Sequence, residues 1–241
     1  MSPSLTRRVR WAAGSAVGLA LLFAGAATVA SARGDGSAPS SRTPAADSAD
    51  AGFARDMAVH HQQAVEMSFI VRDMTGDEDV RRLAYDIANT QANQRGMLLG
   101  WLDLWELPKT APDGAAPMAW MSGGHDGAGH GGGGHGGAGT HGTADTQAAV
   151  GTERDGALMP GMATRTELKQ LGETGGRRAE ILFLQLMTDH HKGGVAMAEG
   201  CADRCTVPAE KRLARGMVEA QRSELDLMAD MLEERGAAPR T

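Results

Sequence analysis

The sequence predicts an all-α protein, a four-helix bundle made of two duplicated helical hairpins, and three observations carry that prediction. The second half repeats the first at a fixed offset of 130 residues: Phe53, Met57, His60, His61, Val65 and Met67 recur as Phe183, Met187, His190, His191, Val195 and Met197. The register holds without a gap through Asp73/Asp203, Arg82-Leu83-Ala84 against Arg212-Leu213-Ala214, Gln91/Gln221 and Leu102/Leu232. With 12 of 50 aligned positions identical, the unit is duplicated rather than alike by composition. Aromatic residues make up only 4% of the chain, and Ala, Leu, Met, Glu, Gln and Arg dominate the patterned segments, which favours helices over strands. Finally, caps and breakers divide each copy into two long helices joined by a short turn.

Taken in order, the chain opens with Arg7, Arg8 and Arg10, an apolar stretch over residues 11–30, and the small-residue triplet Ala30-Ser31-Ala32. That is the layout of a secretory signal peptide over residues 1–32, or of an N-terminal membrane anchor if it stays uncleaved. Either way the bulk of the protein is exported, secreted or tethered to the outer face of the cytoplasmic membrane. Residues 33–50 are Ser, Ala, Pro, Gly and Asp without periodicity and predict a disordered tether. The first hairpin spans residues 51–107. Its first helix covers residues 51–74, Thr75-Gly76-Asp77-Glu78 offers a capping box, and a second helix runs to about Trp105 before Pro108.

Residues 108–163 break the pattern as a flexible insert. Its central part, residues 122–142, contains 12 glycines together with His125, His130, His135 and His141, a composition that cannot bury a core. The second hairpin spans residues 164–236. Thr164-Arg165-Thr166-Glu167 is another capping box, opening a short helix that Gly172, Gly175 and Gly176 interrupt. A long helix follows over residues 177–200, and the last begins at Pro208, suited to a first helical turn, and ends before Gly236.

The chemistry lies in the repeated signature. On a helix, Met57, His60, His61 and Ala64 fall on one stripe, and Met187, His190, His191 and Gly194 repeat it. If the hairpins pack about a pseudo-twofold axis, both stripes face one interior. Imidazole with thioether suits Cu(I), and imidazole alone serves Cu(II) or zinc. The predicted metal ligands are Met57, His60, His61, Met67, Met187, His190, His191 and Met197. A thioether carries no proton at working pH and forms no disulfide, so it survives as a ligand outside the cell. The bland alternative is that these methionines fill the core. Adjacent histidines lie about 100° apart around a helix, so one of each pair is expected to be peripheral. Gln91 and Gln221 predict an interhelical hydrogen bond that fixes register. Cys201 and Cys205, present only in the second copy, read as a disulfide closed by a bend at Gly200, with free thiols or a metal site as the alternatives.

With these motifs in hand, the sequence resembles the bacterial domain-of-unknown-function family 305, DUF305. The resemblance rests on residues 53–67, beginning Phe53-Ala54-Arg55-Asp56-Met57, on their counterpart at 183–197, and on Met159-Pro160-Gly161-Met162 ahead of the third long helix. It implies a ferritin-like bundle, export and a histidine-based metal site, and some members are periplasmic copper binders. The Gly/His insert departs from the compact family pattern.

The formal net charge is −6, and a cleaved signal would remove three arginines and no acid, so nucleic acid is excluded as a natural partner. The Glu-x-x-His motif of carboxylate-bridged di-iron bundles is absent from the sequence. The reading that follows is an extracytoplasmic protein that sequesters or delivers copper without catalysis, its partners being the metal ion and a copper-donor or acceptor protein. The rivals are a metal-dependent oxidoreductase in the same bundle, and a structural protein whose His/Met stripes only pack.

Overall fold

A computed structural model describes residues 43–111, 114–122 and 155–240. The predicted signal or anchor segment, residues 33–42 of the tether and the Gly/His core of the insert lie outside the described residues. The structure is an all-α, ferritin-like four-helix bundle. Its helices are α1 (Ala49–Met74), α2 (Glu78–Leu104), the short α3 (Arg165–Glu173), α4 (Arg177–Arg204) and α5 (Pro208–Glu234). Helix α1 pairs with α2 and α4 with α5, while α1 and α4 pack against each other across the bundle, with α3 against both. Among the described residues no helix is long and apolar enough to cross a membrane.

Local chemistry explains the boundaries. Ser48 caps α1 by accepting from the Ala51 amide, so the helix begins two residues earlier than the sequence suggests. At the first turn the expected Thr75 capping box does not form. Asp77 is the cap, accepting from Val80, because the Thr75 hydroxyl donates instead to Glu180 across the bundle. The Thr164/Glu167 capping box is present with both reciprocal bonds. Pro208 occupies the first turn of α5. Helix α4 continues through Gly200 to Arg204, so that glycine makes no bend. Its missing side chain instead admits Met121, whose Cε lies 2.8 Å from where a Cβ would stand.

The duplication is written into the packing. One core cluster holds Phe53, Met57, Leu98, Leu102, Met197, Cys201 and Met217; the other holds Phe183, Met187, Met228, Leu232, Met67, Val71 and Ile87. The 130-residue offset carries each cluster onto the other. The acids that open the two long inner helices also correspond. Asp50, buried, accepts from the Thr206 and Val207 amides and the Thr206 hydroxyl. Glu180, its counterpart, accepts from the Thr75 hydroxyl and pairs with Arg235. Each inner helix thus fastens the turn of the opposite hairpin. Unpaired, such buried groups would be costly.

The insert is docked at both borders. Asp56 accepts from the Met118 amide and the Trp120 indole N–H, and the Trp120 ring covers Gly52 and meets Phe53 edge-on. At the far border Gln63 makes a two-way amide exchange with the backbone of Ala163.

Candidate metal centre

His60, His61, His190 and His191 form a layer between the two core clusters, where α1 crosses α4, and all four are buried to 1% exposure or less. None lies at the surface, though in each adjacent pair one ring is inner and one outer. The two inner rings, His60 and His190, meet across the pseudo-twofold axis with centroids 3.7 Å apart and planes inclined at 31°. His61 and His191 stand 6.5 and 6.3 Å from their sequence neighbours and face the outer helices.

Each outer ring is held by a polar side chain from its own hairpin. His61 Nε2 lies 2.9 Å from Gln94 Oε1, and His191 Nε2 lies 2.6 Å from Glu224 Oε2. His190 Nε2 lies 3.0 Å from the His60 carbonyl. All three partners are acceptors, so Nε2 carries the proton in each ring and the Nδ1 lone pair is left free. The Nδ1 atoms of all four histidines are buried without a hydrogen-bond partner, as is His60 Nε2, which the Pro160 backbone approaches without hydrogen-bond geometry. Five orphaned imidazole nitrogens in one layer depart from the rule that buried polar groups are paired, and unpaired imidazole is the kind of donor a soft or borderline metal takes.

Burial also disfavours the charged form of three of these rings. Burial, followed by the neighbouring His61 and His191, holds His60 well below the usual histidine range. Burial, then His60, His191 and His61, does the same to His190. His61 is lowered to about 3 by burial, against the Gln94 hydrogen bond, with His191 lowering it further. Neutral imidazoles are ready to bind metal without first losing a proton.

The predicted thioethers Met57, Met67, Met187 and Met197 are all fully buried. Met57 and Met197 share one flanking cluster, and Met67 and Met187 share the other. Met217, Met228 and Met231 are core residues as well, and Met97 is exposed. Gln91 makes no register-fixing hydrogen bond: both its amide atoms are buried and unpartnered, as is Gln221 Oε1. The residues sequence reasoning missed are Gln94 and Glu224. They too are related by the offset of 130, but as amide against acid they leave no identity to notice.

The approach segment is pressed onto the layer. Gly161, at φ +82°, would place a Cβ 2.3 Å from the Asp189 carbonyl oxygen, and Gly193 would place one 2.1 Å from that of Pro160. Both clashes are against backbone, which cannot swing away. Gly193→Ala is therefore expected to cost about 2–3 kcal/mol, read as a lowered midpoint in denaturant, whereas Gly216→Ala, which meets open space, should be neutral or slightly stabilising.

At one end of the bundle Cys201 and Cys205 are joined by a disulfide within the last turn of α4 and its cap. Glu210 from α5 completes a buried group whose donor atoms all lie within 4.8 Å of one another.

The family model for a domain of unknown function, DUF305, matches residues 50–232. The chain belongs to the DUF305 family. A DUF305 protein from Streptomyces coelicolor, described as a candidate secreted protein, is similar in structure at 58% identity, covering 82% of this chain and 99% of that one with a TM-score of 0.65. A DUF305 fragment from Deinococcus radiodurans is 26% identical, covering 77% and 96% with a TM-score of 0.55. CopM in its Cu(I)-bound form shares the fold at 17% identity, 77% and 96% coverage and a TM-score of 0.51. No curated protein sequence matches this DUF305 chain.

Proposed function

We propose that this protein is an exported copper-binding protein that holds Cu(I) at the histidine layer for sequestration or delivery, without catalysis. The observation that carries the reading is the set of four buried, partnerless Nδ1 atoms on rings whose other nitrogens are in three cases tied to acceptors. Met57, Met67, Met187 and Met197 flank the layer and would supply thioether donors, a preference that favours Cu(I) over Cu(II) and zinc. The Glu224–His191 and Gln94–His61 bonds are the outer contacts that orient metal-binding imidazoles elsewhere. Support from likeness is of two kinds. CopM, of the same fold, has been captured with Cu(I) and with Cu(II), and the Streptomyces coelicolor relative is described as a candidate secreted protein, in keeping with the signal-like N-terminus.

A thermal-shift titration with Ag(I), a redox-inert stand-in for Cu(I), tests this reading. Saturating silver should stabilise the fold, by about 2.7 kcal/mol when free metal is 100 times its dissociation constant. Melting that is indifferent to silver would mean that the stripes only pack.

A further inference from the structure

The two cysteines have a ready explanation as a disulfide; Glu210 does not. It is fully buried against the disulfide, and beside it stands the Asp50 carboxylate, to which it can donate only as the protonated acid. Its neighbour Asp50 is already committed to Thr206 and Val207. The duplication supplies an internal control. The positions equivalent to Cys201, Cys205 and Glu210 in the first copy are Val71, Thr75 and Val80, and both valines are buried in the other core cluster. Packing at this point of the bundle therefore asks for a valine where the second copy buries a carboxyl beside two sulfurs. All three donor substitutions occur together, at one end only.

We propose that Cys201, Cys205 and Glu210 form a second, redox-gated metal site, closed while the disulfide stands and opened by a dithiol reductant to take a borderline-soft divalent cation of the zinc class. The geometry fits that chemistry. Cys201 lies in the last turn of α4 and Cys205 is its cap, their Cα atoms 4.8 Å apart, and Glu210 comes from the first turn of the next helix. Two thiolates and one carboxylate leave a fourth tetrahedral position open. The step balances. The dithiol gives two electrons and two protons to the Cys201–Cys205 bond through a mixed disulfide and leaves as its own disulfide. The cation then replaces the protons on both sulfurs and on Glu210, which pass to solvent. The site is separate from the histidine layer, belonging to one end of the bundle rather than its crossing point.

The test is a Cd2+ titration of the protein, oxidised and then reduced with dithiothreitol and freed of reductant without air. The readout is the ultraviolet charge-transfer absorption from thiolate to Cd2+, which imidazoles do not give. The reduced protein should take up one equivalent with this absorption, and the oxidised protein should show none. Glu210→Val, which restores the residue of the sister copy, should fold at least as stably and, once reduced, bind Cd2+ at least tenfold more weakly; Glu210→Gln should weaken binding likewise. No thiolate absorption in the reduced protein, or undiminished affinity in both Glu210 variants, would overturn the proposal. Copper or silver binding in the oxidised protein does not use the closed cysteine site, so the two assignments fail separately.

Discussion

The metal-free protein should be most stable near pH 6.5 and lose stability on both sides. In the unfolded chain a histidine takes up a proton near pH 6.5, whereas in the fold His60 and His190 are held well below that and His61 near 3. Below pH 6.5 the unfolded state thus binds more protons at these three histidines than the folded state does, and stability falls as pH falls. Glu210 acts in the opposite direction. Burial, then Asp50, pushes its carboxyl from 4.5 up to about 9, so between those values the folded state holds a proton the unfolded state has lost. That contribution is complete below pH 4.5 and is given up as pH rises toward 9. Each proton is worth about 1.4 kcal/mol per pH unit. On the acid side the three histidines together outweigh Glu210, so stability falls from pH 6.5 downward. Above pH 6.5 the loss is gentler, about 1.4 kcal/mol per unit. Urea midpoints at half-unit pH intervals check this. A flat profile between pH 7 and 5 would mean that the histidines are not buried neutral, and Glu210→Val should remove the alkaline limb.

The second large effect concerns the residues that aim the rings. Glu224→Ala should weaken Cu(I) binding about 10- to 100-fold, the range typical of such outer contacts, and Glu224→Gln should recover much of it because an acceptor for His191 Nε2 remains. Gln94→Ala should act in the same direction but less strongly. Its amide fixes the His61 tautomer without the charge that a carboxylate adds to a 2.6 Å bond. Competition against a Cu(I) chelator measures all three. Equal affinity in the wild type and both alanine variants would show that ring orientation does not depend on these side chains.

The fold was legible because duplication doubles every signal: the His-His pairs, the capping box at Thr164 and the proline at 208 each located an element. What failed did so for tertiary reasons. Thr75 looks like a cap in sequence but is claimed by Glu180 from the other hairpin. Gly200 looks like a helix bend but clears space for Met121. The outer contacts of the site were hidden because Gln94 and Glu224 serve one role with different side chains. The insert reads as flexible from composition, yet Trp120 and Met118 on one side and Gln63 with Ala163 on the other hold its borders to the bundle. Which methionines lie beside the histidines could not be read from spacing, because one stripe runs through both core clusters.

The most direct measurement is a Cu(I) competition titration of the oxidised wild-type protein beside a variant in which His60, His61, His190 and His191 are all replaced by glutamine, with helicity followed by circular dichroism. The account predicts tight Cu(I) binding in the wild type and its loss in a variant that remains helical. Unchanged affinity and stoichiometry in that variant would contradict it and move the site elsewhere in the chain.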